Sequence, residues 1–402
     1  MRAVAEIPQV AVWIESSTGY GRGLIRGIAD FVRQHGPWSI YFTPHGLREP
    51  LSTWLRNWRG GGILARIDDD RTARMLIARK LPLIDLRGRL PNLGLPRFVP
   101  DPLLVAQLAF EHLQERGFRH YGFFGLPRGE HVDMERRRNH FRGIVTKAGW
   151  ECHVFEGGRH GGRTSDWNLQ QTRVGKWLTR LPKPIGIMCC DDVHGHHLLD
   201  VCKKMNVAVP DQVAVIGVDN DEALCILSAP ALSSISVNAS GIGYGAAAML
   251  DRIMAEGKLI PPDEFLFPPK RVITRLSTDT LAVDDLAVAK AIRFIRDHAC
   301  GGIDVGDVVE VAGTSRRYLE RKMQALLGRS PNQEILRVRI NRARVLLLET
   351  DLSLQAIAQK TAFRSTKYLG DVFIREVGQP PGELRRRARE ARGLPEIPRG
   401  GC

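Results

Sequence analysis

The chain carries one pattern twice: TSRRYLERKMQALLGRSP at residues 314–331 and RSTKYLGDVFIREVGQPP at residues 364–381. At an offset of 50 positions (368 against 318), the copies share a Ser near the start, a Tyr-Leu pair, and a Gly and a Pro near the end. The Ser is a natural N-cap, and Gly followed by Pro ends a helix. A short apolar segment, 305–312 or 354–361, precedes each copy and predicts a first helix. The sequence therefore predicts two helix-turn-helix motifs, which can occupy two major grooves of DNA.

The charge of the chain favours the same partner. Its 402 residues carry a formal net charge of +14, and a chain of this length is expected to hold more than one domain. From residue 284 to the end, 22 Lys and Arg stand against 15 Asp and Glu, a net +7, so half of the excess lies where the repeat lies. Such a basic segment indicates a polyanionic partner, and double-stranded DNA is the one that fits the repeat.

Cysteine usage and hydropathy indicate the compartment. There are seven cysteines, and no pair has CxxC spacing. An odd number without that spacing argues against a disulfide framework or a zinc ribbon and is typical of a reducing cytosol. The sequence shows no signal segment and no apolar run that approaches a membrane span. We expect a cytoplasmic protein with no membrane partner.

The first two-thirds of the chain alternates short apolar strands with helices. Segments 10–14, 185–190 and 213–218 are typical of buried strands, and segments such as 23–33 are typical of helices. This order predicts an α/β fold with parallel sheets, on which ligands bind beyond the carboxyl ends of the strands. The polar residues that directly follow predicted strands are Glu15, Arg66, Asp85, Asp191, Asp192, Asp219 and Asn220.

The composition changes near residues 267–285, where two prolines and a short polar run separate the last α/β element from a helical segment. We expect an α/β domain at 1–275, a linker at 276–288 and an all-α domain at 289–392 that holds both helix-turn-helix motifs. Residues 393–402 are rich in Gly and Pro and are expected to form a loose tail.

A glycine-rich segment at 16–23 follows the first strand and opens a helix. It does not complete the GxGxxG pattern of a dinucleotide site, because Leu24 occupies the last glycine position. The next strand also ends without an acidic residue that could bind a ribose. The segment is therefore more typical of a turn that lines a sugar cleft.

Three histidines, His194, His196 and His197, lie near Asp191 and Asp192, so a metal site is conceivable. Solvated residues on the first turn of a helix are the favoured interpretation. The sequence holds no P-loop, GxSxG or HExxH motif and no identifiable acid–base pair. We expect no metal, no cofactor and no enzymatic activity.

The C-terminal segment resembles the AraC-type family of bacterial regulators. The residues that carry the resemblance are 315–323, 343–350 and 357–381. The family presents the second helix of each motif to DNA, which implies that contacts come from the starts of these helices. The implied DNA-binding residues are Arg316, Arg317, Glu320, Arg321, Thr366 and Lys367.

The segment 185–248 resembles the sugar-sensing domain of LacI-type repressors. Its marks are CDD at 190–192, VPDQVAVIGVDN at 209–220 and PALSSI at 230–235. Joined in this order, the two parts are similar to the family of xylose-operon activators. The resemblance implies a two-lobed, periplasmic-binding-protein-like α/β sensor that closes on a sugar, followed by an all-α domain with two helix-turn-helix motifs.

The same resemblance implies a set of cleft residues, whose charged and amide groups would bind vicinal hydroxyls and whose aromatic ring would stack on the sugar. The set is Arg137, Asp192, Asp219, Asp101 and Trp167. Asn220 and Arg66 are added as candidate ligand-binding residues because they directly follow predicted strands. Asp219 could instead cap a helix. Arg66 stands where xylose sensors are expected to carry an acidic residue, so the identity of the sugar stays open.

These observations predict a sugar-responsive transcription factor, an activator of a sugar-utilisation operon, that binds promoter DNA as a homodimer. A pentose is one candidate effector. Two alternatives remain: a sugar-binding or sugar-active protein with a nucleic-acid anchor, and a redox-sensing regulator that uses the glycine-rich segment. Turnover of a sugar by the pure protein would favour the first, and absorbance of a bound cofactor would favour the second.

Overall fold

The computed structural model describes residues 7–47, 49–156, 167–257, 262–279 and 285–390. Within them the chain forms two α/β lobes followed by a group of helices. The predicted fold class, a two-lobed α/β domain followed by an all-α domain with two helix-turn-helix motifs, is confirmed. Part of the expected linker and the whole of the expected tail lie outside the described residues.

The chain passes between the two lobes three times. It begins in the first lobe with β1 (Gln9–Trp13), α1 (Gly19–His35), β2 (Ser39–Phe42), α2 (Thr53–Arg56), β3 (Gly62–Ala65), α3 (Asp70–Ile77), β4 (Leu83–Asp85) and β5 (Arg97–Pro100). The second lobe follows with α4 (Pro102–Gln114), β6 (His120–Gly125), α5 (Val132–Lys147), β7 (Cys152–Glu156), α6 (Trp167–Arg180), β8 (Ile185–Cys189), α7 (Asp192–Lys204), β9 (Val213–Val218), α8 (Glu222–Leu227) and β10 (Ser233–Ser236). The chain returns to the first lobe for α9 (Ala239–Glu256) and β11 (Glu264–Phe267), and ends the α/β part with β12 (Arg271–Ile273) in the second lobe.

Each lobe is built on a six-stranded sheet. The strand order is β11-β5-β4-β3-β1-β2 in the first lobe and β12-β10-β9-β8-β6-β7 in the second, where β12 runs antiparallel to β10. The central strands β8 and β9 are buried along their whole length. Continuous burial is expected where helices cover both faces of a parallel sheet, and it explains why these segments read as unbroken apolar runs.

Two glycines allow α1 and α9 to pack with their backbones in contact. A Cβ atom at Gly27 would lie 1.9 Å from the carbonyl oxygen of Ser240, and one at Gly243 would lie 2.1 Å from that of Leu24. Any larger residue at either position would force the two helices apart. This contact fixes the position of α1, whose first turn lies at the rim of the interlobe cleft described below.

The helical domain consists of seven α-helices among the described residues. They are α10 (Leu286–His298), α11 (Val305–Ala312), α12 (Arg316–Leu327), α13 (Pro331–Glu349), α14 (Leu354–Lys360), α15 (Thr366–Val377) and α16 (Pro381–Glu390). Helices α10–α12 pack around one apolar core, and helices α14–α16 pack around another. The long helix α13 contributes to both, with Ile335 in the first core and Ile340 in the second, so it joins the two motifs.

The repeated residues form the helix ends that the sequence predicts. The hydroxyls of Ser315 and Ser365 each accept a hydrogen bond from the backbone N–H three residues later, at 3.2 and 3.1 Å. Gly328 and Gly378 end α12 and α15 in the left-handed conformation, with φ of 70° and 78°. Local capping therefore determines where α12 and α15, the second helices of the two motifs, begin and end.

The turns before these helices differ from one another. In the first motif Gly313 is the left-handed residue, with φ of 64°. In the second motif Ala362 is left-handed, with φ of 54°, although it corresponds to position 312 of the first copy. An L-residue with a Cβ atom is less stable in this conformation by about 1–2 kcal/mol, so the second turn is strained.

We expect Ala362→Gly to raise the free energy of unfolding by up to about 1 kcal/mol, because the gain from removing left-handed strain exceeds the loss from a more flexible unfolded chain. Urea unfolding of the full chain measures the change. Ala325→Gly, at an exposed and right-handed position of α12, serves as the control and should lower stability by about 0.5–1 kcal/mol. A loss of stability in Ala362→Gly would contradict the left-handed turn.

Candidate ligand cleft and DNA-binding helices

The cleft between the lobes brings together three of the residues predicted from the sequence. Arg66 follows β3 in the first lobe, Arg137 lies on α5 in the second, and Asp219 follows β9. Burial raises the pKa of Asp219 to about 7, while the charges of Arg137 and Arg66 act in the opposite direction. The three groups therefore lie within electrostatic reach of one another across the two lobes.

Arg66 is held by its own lobe. It is only 6% exposed, it forms an ion pair with Glu15, and its guanidinium lies 4.8 Å from the centre of the Tyr20 ring. Burial raises the pKa of Tyr20, so this phenol stays neutral. The Nε atom of Arg66 is buried and has no hydrogen-bond partner in the described part of the chain. One donor of a fixed guanidinium is thus left unused.

Arg137 has the same character in the second lobe. It is 6% exposed and donates a hydrogen bond to the carbonyl oxygen of Cys190, at the end of β8. Its Nε atom is also buried and has no partner among the described residues. A buried guanidinium with an unused donor is unstable unless something else binds it, which is the property expected of a ligand-binding group.

Asp219 is not a helix cap. The cap position of α8 belongs to Asp221, and Asp219 lies two residues earlier with a positive φ of 103°. Its carboxylate accepts no hydrogen bond from a described residue. A non-glycine residue with this backbone conformation is uncommon and often marks a functional position. Of the two interpretations of Asp219, the structure favours the cleft residue.

Three other predicted residues have their polar atoms engaged within the protein. The carboxylate of Asp192 accepts from the Ser234 hydroxyl at 2.5 Å and from the Asp221 N–H at 2.7 Å, and burial raises its pKa well above the usual range. Asp101 accepts from two N–H groups of the first turn of α4, at 2.9 and 3.1 Å. The side chain of Asn220 accepts from Arg275 at 2.9 Å.

Asn220 also lines a cavity of about 640 Å³, which opens beside α1 and α9. This cavity contains neither Arg66, Arg137 nor Asp219. Trp167 begins α6, but its side chain lies outside the described residues. The structure thus brings Arg66, Arg137 and Asp219 together, and it gives Asp192, Asn220 and Asp101 roles inside the lobes.

Two further groups of the cleft escape prediction from the sequence. His131 precedes α5, is 4% exposed, and has an Nδ1 atom with no hydrogen-bond partner in the described ranges. Burial, together with four surrounding arginines, lowers its pKa well below the usual value, so the imidazole is neutral. Asp133 has one buried carboxylate oxygen without such a partner, and burial raises its pKa to about 6. Neither residue belongs to a motif or follows a strand.

Contacts across both rims hold the lobes together. On one rim the carboxylate of Asp221 accepts from the N–H of Gly19, at the start of α1, at 2.6 Å. On the other rim the N–H groups of Val132 and Asp133 donate to the backbone carbonyls of residues 89 and 88, at 3.0 and 3.2 Å. The glycine-rich segment therefore forms one edge of the cleft, and the lobes are in a closed arrangement.

The histidines after β8 are engaged in the fold. The His194 ring lies 2.6 Å from the Asp191 carboxylate, which also caps α7, and this ion pair raises the pKa of His194 although burial alone would lower it. His196 lies 3.0 Å from the Ser228 hydroxyl. Cys190, Asp191 and His194 could hold a metal ion, because their ligand atoms lie within 4.8 Å of one another. The sequence favours solvated histidines here, but in the structure His194 and His196 have side-chain partners.

The two second helices present different surfaces. On α12, Leu319, Met323 and Leu327 face the core, and Arg316, Arg317 and Arg321 are exposed. Glu320 is partly buried and accepts from Arg316 at 2.9 Å. On α15, Thr366 and Lys367 are exposed, but Asp371 and Ile374 are exposed as well. The first helix is therefore the more cationic of the two.

The end of α4 connects the sensor to the helical domain. The carboxylate of Glu115 forms an ion pair with Arg337 of α13, and its backbone carbonyl accepts from Arg296 of α10. Gln114 accepts from Arg329 at 3.2 Å. Arg119 donates to the carbonyl of residue 325, near the end of α12, at 2.9 Å. The helix that begins at the first interlobe crossover thus ends against the helical domain. Within the described chain, no helix has the length and apolar character needed to cross a bilayer.

A cleft lined by unused buried polar groups, joined to two helix-turn-helix motifs, defines a ligand-responsive, DNA-binding transcription regulator. Two family models match: a periplasmic binding protein-like domain over residues 110–278 and a helix-turn-helix domain over residues 308–387. The chain is 30% identical over 386 residues to the xylose operon regulatory protein of Escherichia coli strain K12, covering 94% of this chain and 96% of that protein. It is 29% identical over 383 residues to the Haemophilus influenzae protein of the same name, covering 94% and 98%.

A solved structure of a xylose-binding transcription activator is 30% identical to the chain, covers 95% of it and is itself covered to 98%, with a TM-score of 0.61. The chain belongs to the family of xylose operon regulatory proteins. The predicted family, with its AraC-type DNA-binding domain and sugar-responsive regulatory function, is confirmed. These relatives are transcription regulators.

We expect Arg317→Ala to weaken binding to a preferred DNA duplex by about 1–3 kcal/mol and to relax the preference at particular base pairs, because a guanidinium at the start of α12 can bind base edges. Thr366→Ala should cost less, since α15 is less cationic. Selection from a random duplex pool followed by fluorescence anisotropy measures both. Arg293→Ala, exposed on α10 outside both motifs, is the matched control. Equal losses at Arg317 and Thr366 on every duplex would contradict this assignment.

Binding of the full chain to that duplex should fall steeply as salt rises, with a linear relation between the logarithms of affinity and salt concentration. The exposed arginines of α12 and Lys367 on α15 would release counterions from the phosphates. The double variant Arg316→Gln/Arg321→Gln should give a shallower slope. An affinity of the parent chain that does not change with salt would contradict the phosphate contacts.

Proposed function

We propose that the chain is a homodimeric activator of a sugar-utilisation operon, acts in the cytoplasm and binds a monosaccharide in the interlobe cleft without turning it over. The observation that carries the proposal is the pair of Arg137, which is buried, and Asp219, which is partly buried, because the described residues do not fill the hydrogen-bonding capacity of either side chain. A guanidinium and a carboxylate can bind adjacent hydroxyls of a sugar. DNA is the second partner, through α12 and α15.

The space beside Arg66 supports a small ligand. A cavity of about 190 Å³ lies at the carboxyl ends of the first-lobe strands and is lined by Trp13, Arg66 and Thr72 among others. Its size suits one sugar ring better than a longer saccharide. A pentose remains one candidate, as it is the effector class named for the relatives.

The contacts of α4 support a route from the cleft to DNA. Asp101 caps this helix at the first interlobe crossover, and Glu115 at its other end binds Arg337 of the helical domain. When the lobes change their relative position, α4 moves with the second lobe and carries this contact with it. Ligand binding can shift DNA affinity only by its preference for one arrangement over the other. In a dimer, the same movement would set the spacing of the two DNA-binding domains.

We expect Arg137→Gln and Asp219→Asn each to weaken binding of the effector at least about tenfold, since each removes a charge-assisted hydrogen bond of roughly 1.5–3 kcal/mol. A thermal-shift screen of pentoses, hexoses and their acids identifies the effector, and calorimetry then measures the variants. Asp30→Asn is the control, because Asp30 lines the 640 Å³ cavity and not the cleft. Unchanged affinity in both cleft variants, with a loss in Asp30→Asn, would place the site in the other cavity.

A further inference from the structure

Most hydrogen-bond acceptors of the cleft are engaged within the protein, whereas Arg66 and Arg137 each keep a buried Nε donor that has no described partner. The carboxylate of Glu15 binds Arg66 and accepts from the Thr18 hydroxyl at 2.7 Å. Asp85 accepts from three backbone N–H groups, of residues 67, 87 and 88, at 2.9–3.4 Å. Asp85 therefore has little capacity left for the hydroxyl groups of a ligand, and one of the two oxygens of Glu15 is engaged.

The acceptors that line the 190 Å³ cavity beside Arg66 are also engaged within the protein. Three carboxylates line it, and each is already bonded to the protein. Asp68 accepts from Arg87 at 2.9 Å, Asp69 accepts from both the N–H and the hydroxyl of Thr72 at 2.8 Å, and Glu49 accepts from a backbone N–H at 2.5 Å. The Nε atom of Arg66, by contrast, is buried without a described partner.

Positive charge also surrounds His131. Four arginines, Arg87, Arg89, Arg137 and Arg66, all act to lower the pKa of buried His131, after burial itself. His131 stands at the N-terminus of α5, a helix of 16 residues, whose dipole adds partial positive charge at this end. Arg66 and Arg87 have carboxylate partners in Glu15 and Asp68, whereas Arg137 has none among the described residues. A bound anion would supply the charged partner that Arg137 lacks.

Two acceptors remain for neutral groups. The Asp219 carboxylate is not hydrogen-bonded by any described residue, and one oxygen of Asp133 is buried without a described partner. They can accept hydrogen bonds from hydroxyl groups. The cleft therefore offers arginine donors, which bind an anionic oxygen more strongly than a neutral hydroxyl, and a small number of acceptors for hydroxyls.

We propose that the effector is an anionic monosaccharide, a sugar that carries a carboxylate or a phosphate, and that Arg66 and Arg137 bind its anionic group. This inference rests on the proposed function, in which the cleft holds a sugar, and specifies its chemical class. Arg66 and Arg137 come from different lobes, so the anionic group bridges the lobes and stabilises the closed arrangement. Asp219 then accepts from a hydroxyl of the same ligand.

The test uses the full chain and pairs of ligands that share a carbon skeleton: D-xylose and D-xylonate, D-galactose and D-galacturonate, D-ribose and D-ribose 5-phosphate. Thermal shift at constant ionic strength finds the ligands that bind, and calorimetry gives their Kd. We expect at least one anionic member to bind about tenfold or more tightly than its neutral partner, as one charge-assisted hydrogen bond would provide. Sugar acids and sugar phosphates then identify which anionic group the site takes.

The variant Arg66→Gln should remove most of this preference. Because it leaves Glu15 buried without its cation, the double variant Glu15→Gln/Arg66→Gln, which keeps neither charge, is measured beside it. Arg33→Gln, on the exposed part of α1, is the matched control and should keep the parental preference. Circular dichroism and the midpoint of thermal unfolding check that the sensor of every variant is folded.

The outcomes separate the inference from the function on which it rests. Equal or tighter binding of the neutral members overturns the anionic assignment and leaves sugar sensing intact. An equal thermal shift with acetate or inorganic phosphate alone also overturns it, since the site would then not recognise a sugar. Binding of no sugar or sugar derivative overturns both. A preference for the anion that survives in both Arg66 variants overturns the role of this residue.

Discussion

The burial of two arginines between the lobes is the constraint on which the sensor depends. Arg66 and Arg137 belong to different lobes, and each keeps one donor that the protein does not use. A guanidinium in such a place requires compensating partners, because desolvation of an unpaired charge costs several kcal/mol. Glu15 and the carbonyl of Cys190 supply part of the compensation. The remainder is available to a ligand, so the groups that destabilise the empty cleft are those that would bind its effector.

The same constraint links the cleft to DNA. The rim contacts of Asp221 with Gly19, and of residues 132–133 with residues 88–89, hold the lobes in one arrangement. Between the crossover and the helical domain runs a single helix, α4, whose end binds α10 and α13 by ion pair and hydrogen bond. Because α4 belongs to the second lobe, this polar contact would move with that lobe when the lobes change their relative position. We propose that these contacts couple ligand binding to DNA binding.

The parts that could be predicted from the sequence are those defined by local chemistry. The caps at Ser315 and Ser365 involve neighbours in the chain, so the repeat alone predicts both motifs. Arg66 and Asp219 follow strands, and the carboxyl ends of parallel strands are where ligands bind. Asp192 follows a strand too, but its carboxylate turns into the lobe towards Ser234, a tertiary contact without a sequence signal. His131 could not be predicted, because its importance arises from arginines distant in the chain.

We expect that ligand binding in the cleft changes the affinity for DNA through α4 and its contacts with the helical domain. The most direct measurement is the Kd of the full chain for its selected duplex, with and without a saturating concentration of the effector that calorimetry has identified. Coupling free energies between two binding sites are typically about 1–3 kcal/mol, so we expect the Kd for DNA to change about fivefold or more. An identical Kd in both conditions, with the effector shown to be bound, would contradict it.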